Sequence, residues 1–172
     1  MKPLNNKETI YFLHQINKLL HQEEVHRMKN FIQHGNTTTF SHCLAVAYYS
    51  CLLSLRLPVS FDTRSVIRGA MLHDFFLYDW HIPHKSHKLH GFVHPGFALR
   101  NAKKYFRLNA LEEEIIAKHM WPFTFFHLPC CREAWLVCLV DKYISLTETL
   151  RLPILSGEYH KINRLLSDTF TF

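Results

Sequence analysis

The stretch Arg68-Gly69-Ala70-Met71-Leu72-His73-Asp74-Phe75-Phe76-Leu77 puts a histidine beside an aspartate just where an apolar helical run is about to end. Neighbouring helical side chains point about 100° apart, so a metal ion gripped by His73 and Asp74 needs further donors from elsewhere. Upstream, Asp62 is a good N-cap, and Val66, Ile67, Ala70 and Met71 follow at helical spacing, so a helix is expected to lead up to the pair. Downstream the periodicity dissolves. Residues 77–91 contain Pro83, Gly91 and a comb of His81, His84, His87 and His90, and read as a long loop that covers the site or contacts substrate.

Further out, each apolar segment again has helical spacing. Ile10, Phe12, Leu13, Ile16, Leu19 and Leu20, then Val25, Met28, Phe31 and Ile32, predict a helical pair jointed near residues 21–24, ended by His34-Gly35-Asn36 and packed outside the site. Thr37-Thr38-Thr39 offers N-cap hydroxyls for a helix over about 40–55. His94-Pro95 is expected to open a helix to about Phe106, with the proline in its first turn. Asn109 caps a short helix ending near His119-Met120, before Trp121-Pro122 and an aromatic loop to Pro129. The strongest helix is expected over about Arg132–Leu150, with Trp135, Leu136, Cys138, Leu139, Tyr143 and Leu146 available for burial and Pro153 as its stop. A short helix near 158–166 follows. No alternating run flanked by hairpin turns is found, so the fold class is all-α, a single domain over 1–172.

Composition narrows the function. With 48% hydrophobic and 20% charged residues over 172 positions, the chain has an ordinary globular balance. The N-terminus has no apolar signal segment, and no run approaches the roughly 18 apolar residues of a membrane span, so a soluble cytoplasmic protein with no membrane partner is expected. Five cysteines without C-x-x-C spacing predict buried free thiols rather than disulfides or a thiolate zinc site. The net charge of +6 suits an anionic small molecule, but the basic residues form no block, which argues against nucleic acid as a partner. Fourteen histidines are unusual, and position must decide what they do.

Asp141 is the most telling partner for His73-Asp74. It interrupts Trp135-Leu136-Val137-Cys138-Leu139-Val140-Asp141-Lys142-Tyr143-Ile144, where an unpaired buried carboxylate would be costly and a metal ion would offset the cost. His42 lies in the apolar run from Phe40 to Ala47, His119 at a helix end and His94 at a helix entry. Each alone is ordinarily a core or capping histidine; together they form a candidate set.

The order His42, His73-Asp74, His94, His119, Asp141 resembles the H…HD…H…H…D signature of the HD superfamily of metal-dependent phosphohydrolases. Local matches at Thr39-Phe40-Ser41-His42 and Leu139-Val140-Asp141-Lys142 support it, over about residues 35–150. The chain is most similar to small stand-alone bacterial HD-domain proteins described as hydrolases. The resemblance implies a compact helical bundle acting as monomer or homodimer. It implies that His42, His73, Asp74 and Asp141 hold one divalent transition metal (Mn, Fe, Co, Ni or Zn) and that His94 and His119 hold a second, with Asp74 bridging. His73 and Asp74 would be the catalytic centre, and the partner a small phosphorylated metabolite, either a nucleotide or another phosphomonoester. The same ligand set also serves di-iron oxygenases, and a non-catalytic nucleotide- or metal-sensing module is a third possibility. In several members a glycine and a phosphate-binding lysine closely follow the HD pair; here Phe75-Phe76-Leu77-Tyr78 follow instead. The cation is therefore sought among Lys118, Lys142, Lys85 and Lys88, while His34 is expected on the surface at a helix end.

Overall fold

The computed structural model describes residues 2–82, 85, 88–152 and 157–169. Pro83, His84, His87 and Pro153 lie outside them. The chain runs through α1 (Asn6–Leu20), α2 (Glu23–His26) and a 3₁₀ turn (Arg27–Asn30) into a short hairpin, β1 (Ile32–His34) and β2 (Thr37–Thr38). It continues through α3 (Thr39–Arg56), α4 (Thr63–Leu72), α5 (His90–Tyr105), α6 (Ala110–Lys118), α7 (Arg132–Thr149) and α8 (Gly157–Thr169). The architecture is mostly helical, and the two antiparallel strands are its only sheet among the described residues. No described helix is long and apolar enough to cross a membrane.

Local chemistry sets the helix starts. The Thr38 side chain accepts from Ser41 N at the head of α3, Asp62 from Ser65 N at the head of α4, and Asn109 forms a capping box with Glu112 at the head of α6. α3 is buried nearly all round, as its almost unbroken apolar sequence requires, and it packs against α4, α7 and α8. α4 lies against both α3 and α6. A Cβ on Gly69 would sit 2.8–2.9 Å from three atoms of the Ile115 side chain, so the missing side chain is what lets α4 and α6 approach. The buried Arg68 guanidinium donates to Glu112 Oε1 at 2.6 Å and locks the same pair of helices. Their C-terminal ends, carrying His73 and His119, are thereby brought side by side.

Four expectations are corrected. Residues 32–34 form a strand rather than the end of a helix, because the helical run stops at Asn30 and Thr39 N then bonds back to Phe31 O at 2.8 Å. The hairpin therefore enters the site region instead of packing outside it. α5 begins at His90, so Pro95 lies inside the helix rather than at its opening. Leu139, Tyr143 and Leu146 are exposed. Asp141 shares the inward face of α7 with Ala134, Val137 and Ile144, and this rotation turns the other three outward. All five cysteines are free, but Cys130 is exposed, since its backbone is held at the surface by Glu114.

Candidate metal centre

Six side chains from five elements meet in the middle of the bundle: His42 from α3, His73 and Asp74 from the end of α4, His94 from α5, His119 from the end of α6 and Asp141 from α7. All are buried. Each imidazole is held by its Nδ1. That atom donates to Ala70 O in His73 (2.7 Å), to His90 O in His94 (2.9 Å) and to Ile116 O in His119 (2.9 Å). Carbonyls only accept, so these rings carry a proton on Nδ1 and turn Nε2 inward. For His73 and His119 the acceptor is a carbonyl three residues back at a helix end, where intrahelical donors run out. His42 is held instead by the Glu148 carboxylate, whose Oε2 is 2.8 Å from Nδ1. A ring fixed by its outer nitrogen is the usual support of a metal-binding histidine.

Asp74 divides the cluster. Its Oδ1 lies 3.0 Å from His94 Nε2 and 3.4 Å from His119 Nε2; its Oδ2 lies 3.4 Å from His73 Nε2 and 3.8 Å from His42 Nε2. Asp141 Oδ1 joins the second group, 3.1 Å from His42 and 3.6 Å from His73. The two oxygens of one carboxylate thus face two separate sets of donors.

The donors fit a cation better than they fit one another. His73 Nε2 and Asp74 Oδ1 are buried and make no hydrogen bond among the described residues, despite the short approaches. His94 Nε2 and His119 Nε2 stand 2.8 Å apart, and with both Nδ1 protons directed at carbonyls one ring must take an extra proton or the two lone pairs must share a cation. Four imidazoles with two carboxylates suit Mn, Fe, Co, Ni or Zn rather than Ca or Mg.

The electrostatics agree. Burial alone would raise the Asp74 pKa, but the His73 and His94 charges hold it well below the usual carboxylate range. Asp141 is likewise held low against burial by Lys142 and by His42 and His73. Burial would depress His42, yet hydrogen bonds to Asp141 and Glu148 push it up to about 10, and the Asp74 charge similarly raises His73. His119 falls to about 4, because burial and the neighbouring His73 outweigh its contact with Asp74.

A cleft of about 360 Å³ opens onto the cluster, at the small end of the range for ligand sites. Its wall includes Gln33, His34, Trp80, His90, Met120 and Ser145 beside Asp74, His94, Asp141 and Lys142. Gln33 Nε2 donates to Asp74 Oδ2 at 2.6 Å, and Ser145 Oγ donates to Asp141 Oδ1 at 3.2 Å. His34 is half-buried at this mouth, its ring edge-on to His42, rather than a surface residue at a helix end. Trp80 stacks on His90, which stacks on His94.

The four lysines divide. Lys142 lies at the cleft, its ammonium committed to Asp141 Oδ2 (2.6 Å), His119 O (2.9 Å) and Met120 Sδ (3.7 Å). Lys118 points elsewhere, pairing with Glu114 and Cys130 Sγ. Lys85 and Lys88 are exposed and do not line the cleft. Of the histidine comb, His81 is exposed and bonded to Asp79, while His90 is the first residue of α5.

Trp80 belongs to the 77–91 loop expected to wall the site and does line the cleft, whereas Glu148, Gln33 and Ser145 were not anticipated from the sequence. Only Glu148 left a signal there, as an acidic residue seven positions after Asp141 on the same helix. Comparison of the chain with family models, with curated proteins and with solved structures finds no match.

Proposed function

We propose that this chain is a metal-dependent phosphohydrolase of the HD type, hydrolysing a small phosphate ester such as a nucleotide or other phosphomonoester. The observation that carries this reading is Asp74, whose two oxygens face His94 and His119 on one side and His42, His73 and Asp141 on the other. Ions of the class these donors favour supply, when bound, Lewis acidity toward a phosphoryl oxygen, acidified water and positive charge for the phosphate. The protein's part is preorganisation. Backbone carbonyls and Glu148 fix the four rings, Gln33 and Ser145 hold the two carboxylates, and Lys142 balances Asp141. Trp80, His90 and Met120 wall the cleft and limit the size of what enters. His73 and Asp74 are the residues on which the reaction depends most.

Elemental analysis, paired with phosphatase and phosphodiesterase panels in Mn, Co, Ni and Mg, tests this reading. Asp74→Ala is expected to abolish both metal retention and hydrolysis; full activity in a metal-free sample of that variant sinks the proposal. One observation favours a second reading. Among the described residues, no uncommitted lysine or arginine lines the cleft, so a di-iron oxygenase acting on a less charged substrate fits the same donors. Oxygen uptake by the iron-loaded protein without phosphate release selects it, and tight nucleotide binding without any product selects a sensing module.

A further inference from the structure

Glu148 stands at the outer nitrogen of His42, and His34, which also lines the mouth of the cleft, lies edge-on to the same ring. We infer that the chain has a further divalent-cation site there, formed by His34, Glu148 and the outward nitrogen of His42, with the donor chemistry of a zinc-type ion. The inference rests on the proposed metal centre to the extent that His42 is shared between the two sites.

Glu148 lies on the inward side of the last turns of α7, with its side chain only 4% exposed. One oxygen, Oε2, is 2.8 Å from His42 Nδ1. The other, Oε1, is buried and has no hydrogen-bond partner among the described residues. If Glu148 served only to orient His42, Oε2 would suffice, and a costly unpaired carboxylate oxygen would remain beside it. His34, held on β1 with its ring edge-on to His42 at 5.6 Å, completes the set. One donor atom from each of His34, His42 and Glu148 lies within 4.8 Å of the others. Two imidazoles and a carboxylate are a donor set that zinc accepts with a fourth position left to water. Glu148 also lines a second cavity of about 310 Å³, walled by Gly35, Asn36, Thr37, Thr147 and Arg151, which gives an ion a route separate from the cleft. In this arrangement His42 offers Nε2 to the inner cluster and Nδ1 to the outer ion.

Zinc binding by the full chain tests this directly, with stoichiometry read by elemental analysis after dialysis against zinc buffers. The wild type is expected to take up one equivalent more than either Glu148→Gln or His34→Ala. Equal stoichiometry in all three proteins overturns the inference. So does a weaker inner affinity with the count unchanged, which makes Glu148 a support for His42 alone. Anomalous scattering from zinc-loaded wild-type crystals needs no variant: a peak between His34 and Glu148 supports the site, and its absence when the inner peaks are present rejects it. Failure of the proposed metal centre is seen separately, as zinc content that Asp74→Ala leaves unchanged.

Discussion

The inner histidines and His81 are the same side chain under opposite support. His73, His94 and His119 are buried, and each gives its Nδ1 proton to a carbonyl three or four residues back, so the helix that carries the ring also aims it. His81 has neither a helix nor burial; its ring is 47% exposed and bonds to Asp79, two residues away. Regular spacing in sequence therefore does not by itself mark His81 as a ligand. A fixed outer nitrogen and a dry inner one suit an imidazole to metal binding, and a helix turn at the centre of the bundle provides both for these three, as Glu148 does for His42.

The largest test of that contrast pairs Asp74→Ala with His81→Ala. The first is expected to remove retained metal altogether, and the second to leave metal content and thermal stability at the wild-type level; elemental analysis and a melting curve read both. Next comes the clamp that sets the helix ends side by side. Glu112→Ala leaves Arg68 buried without its partner and is expected to cost about 3–5 kcal/mol in denaturant unfolding. A cost under about 1 kcal/mol would show that the α4–α6 contact does not depend on the pair.

Smaller effects probe the support of individual donors. Gln33→Ala removes the hydrogen bond on Asp74 Oδ2 and is expected to weaken metal binding about 10–100-fold in chelator competition, with little change in the unfolding midpoint. The pH dependence carries a definite sign. With His42 pushed up to about 10 and His73 also raised, these rings hold protons at neutral pH in the metal-free protein, and a metal must displace them. Affinity is expected to rise at least about tenfold per pH unit from neutral toward 10, and to fall as the solution is acidified. His119, at about 4, is already neutral there and adds nothing to that slope. A flat profile would mean that His42 and His73 are not ligands.

Much of the frame was legible from local chemistry. Asp62 and Asn109 mark helix starts because their side chains reach the backbone N–H three residues on. His73-Asp74 and His119 mark helix ends because the apolar periodicity stops there. Asp141 stood out because a carboxylate in an apolar helix needs compensation. These signals act within a few residues, so they survive in sequence. The rotation of α7 is intermediate. Its faces were legible, but both were apolar, and only the inward demand of Asp141 decides that Leu139, Tyr143 and Leu146 face out.

The sequence by itself determined the helical class, most of the helix boundaries and the six residues that the bundle gathers. Tertiary structure alone decided what surrounds them. Gln33 meets Asp74 across 41 positions and Glu148 meets His42 across 106, and neither carries any local pattern that names its partner. Lys118 pairs with Glu114 one turn back on its own helix and Lys142 with its neighbour Asp141, both local contacts, whereas the further bonds of Lys142 to His119 O and Met120 Sδ exist only because α7 packs beside the end of α6. The physical reason is one of range. Caps and periodicity are fixed by the backbone within a turn or two, whereas the close approach of α4 and α6 at Gly69, which sets His73 beside His119, exists only once the helices have packed.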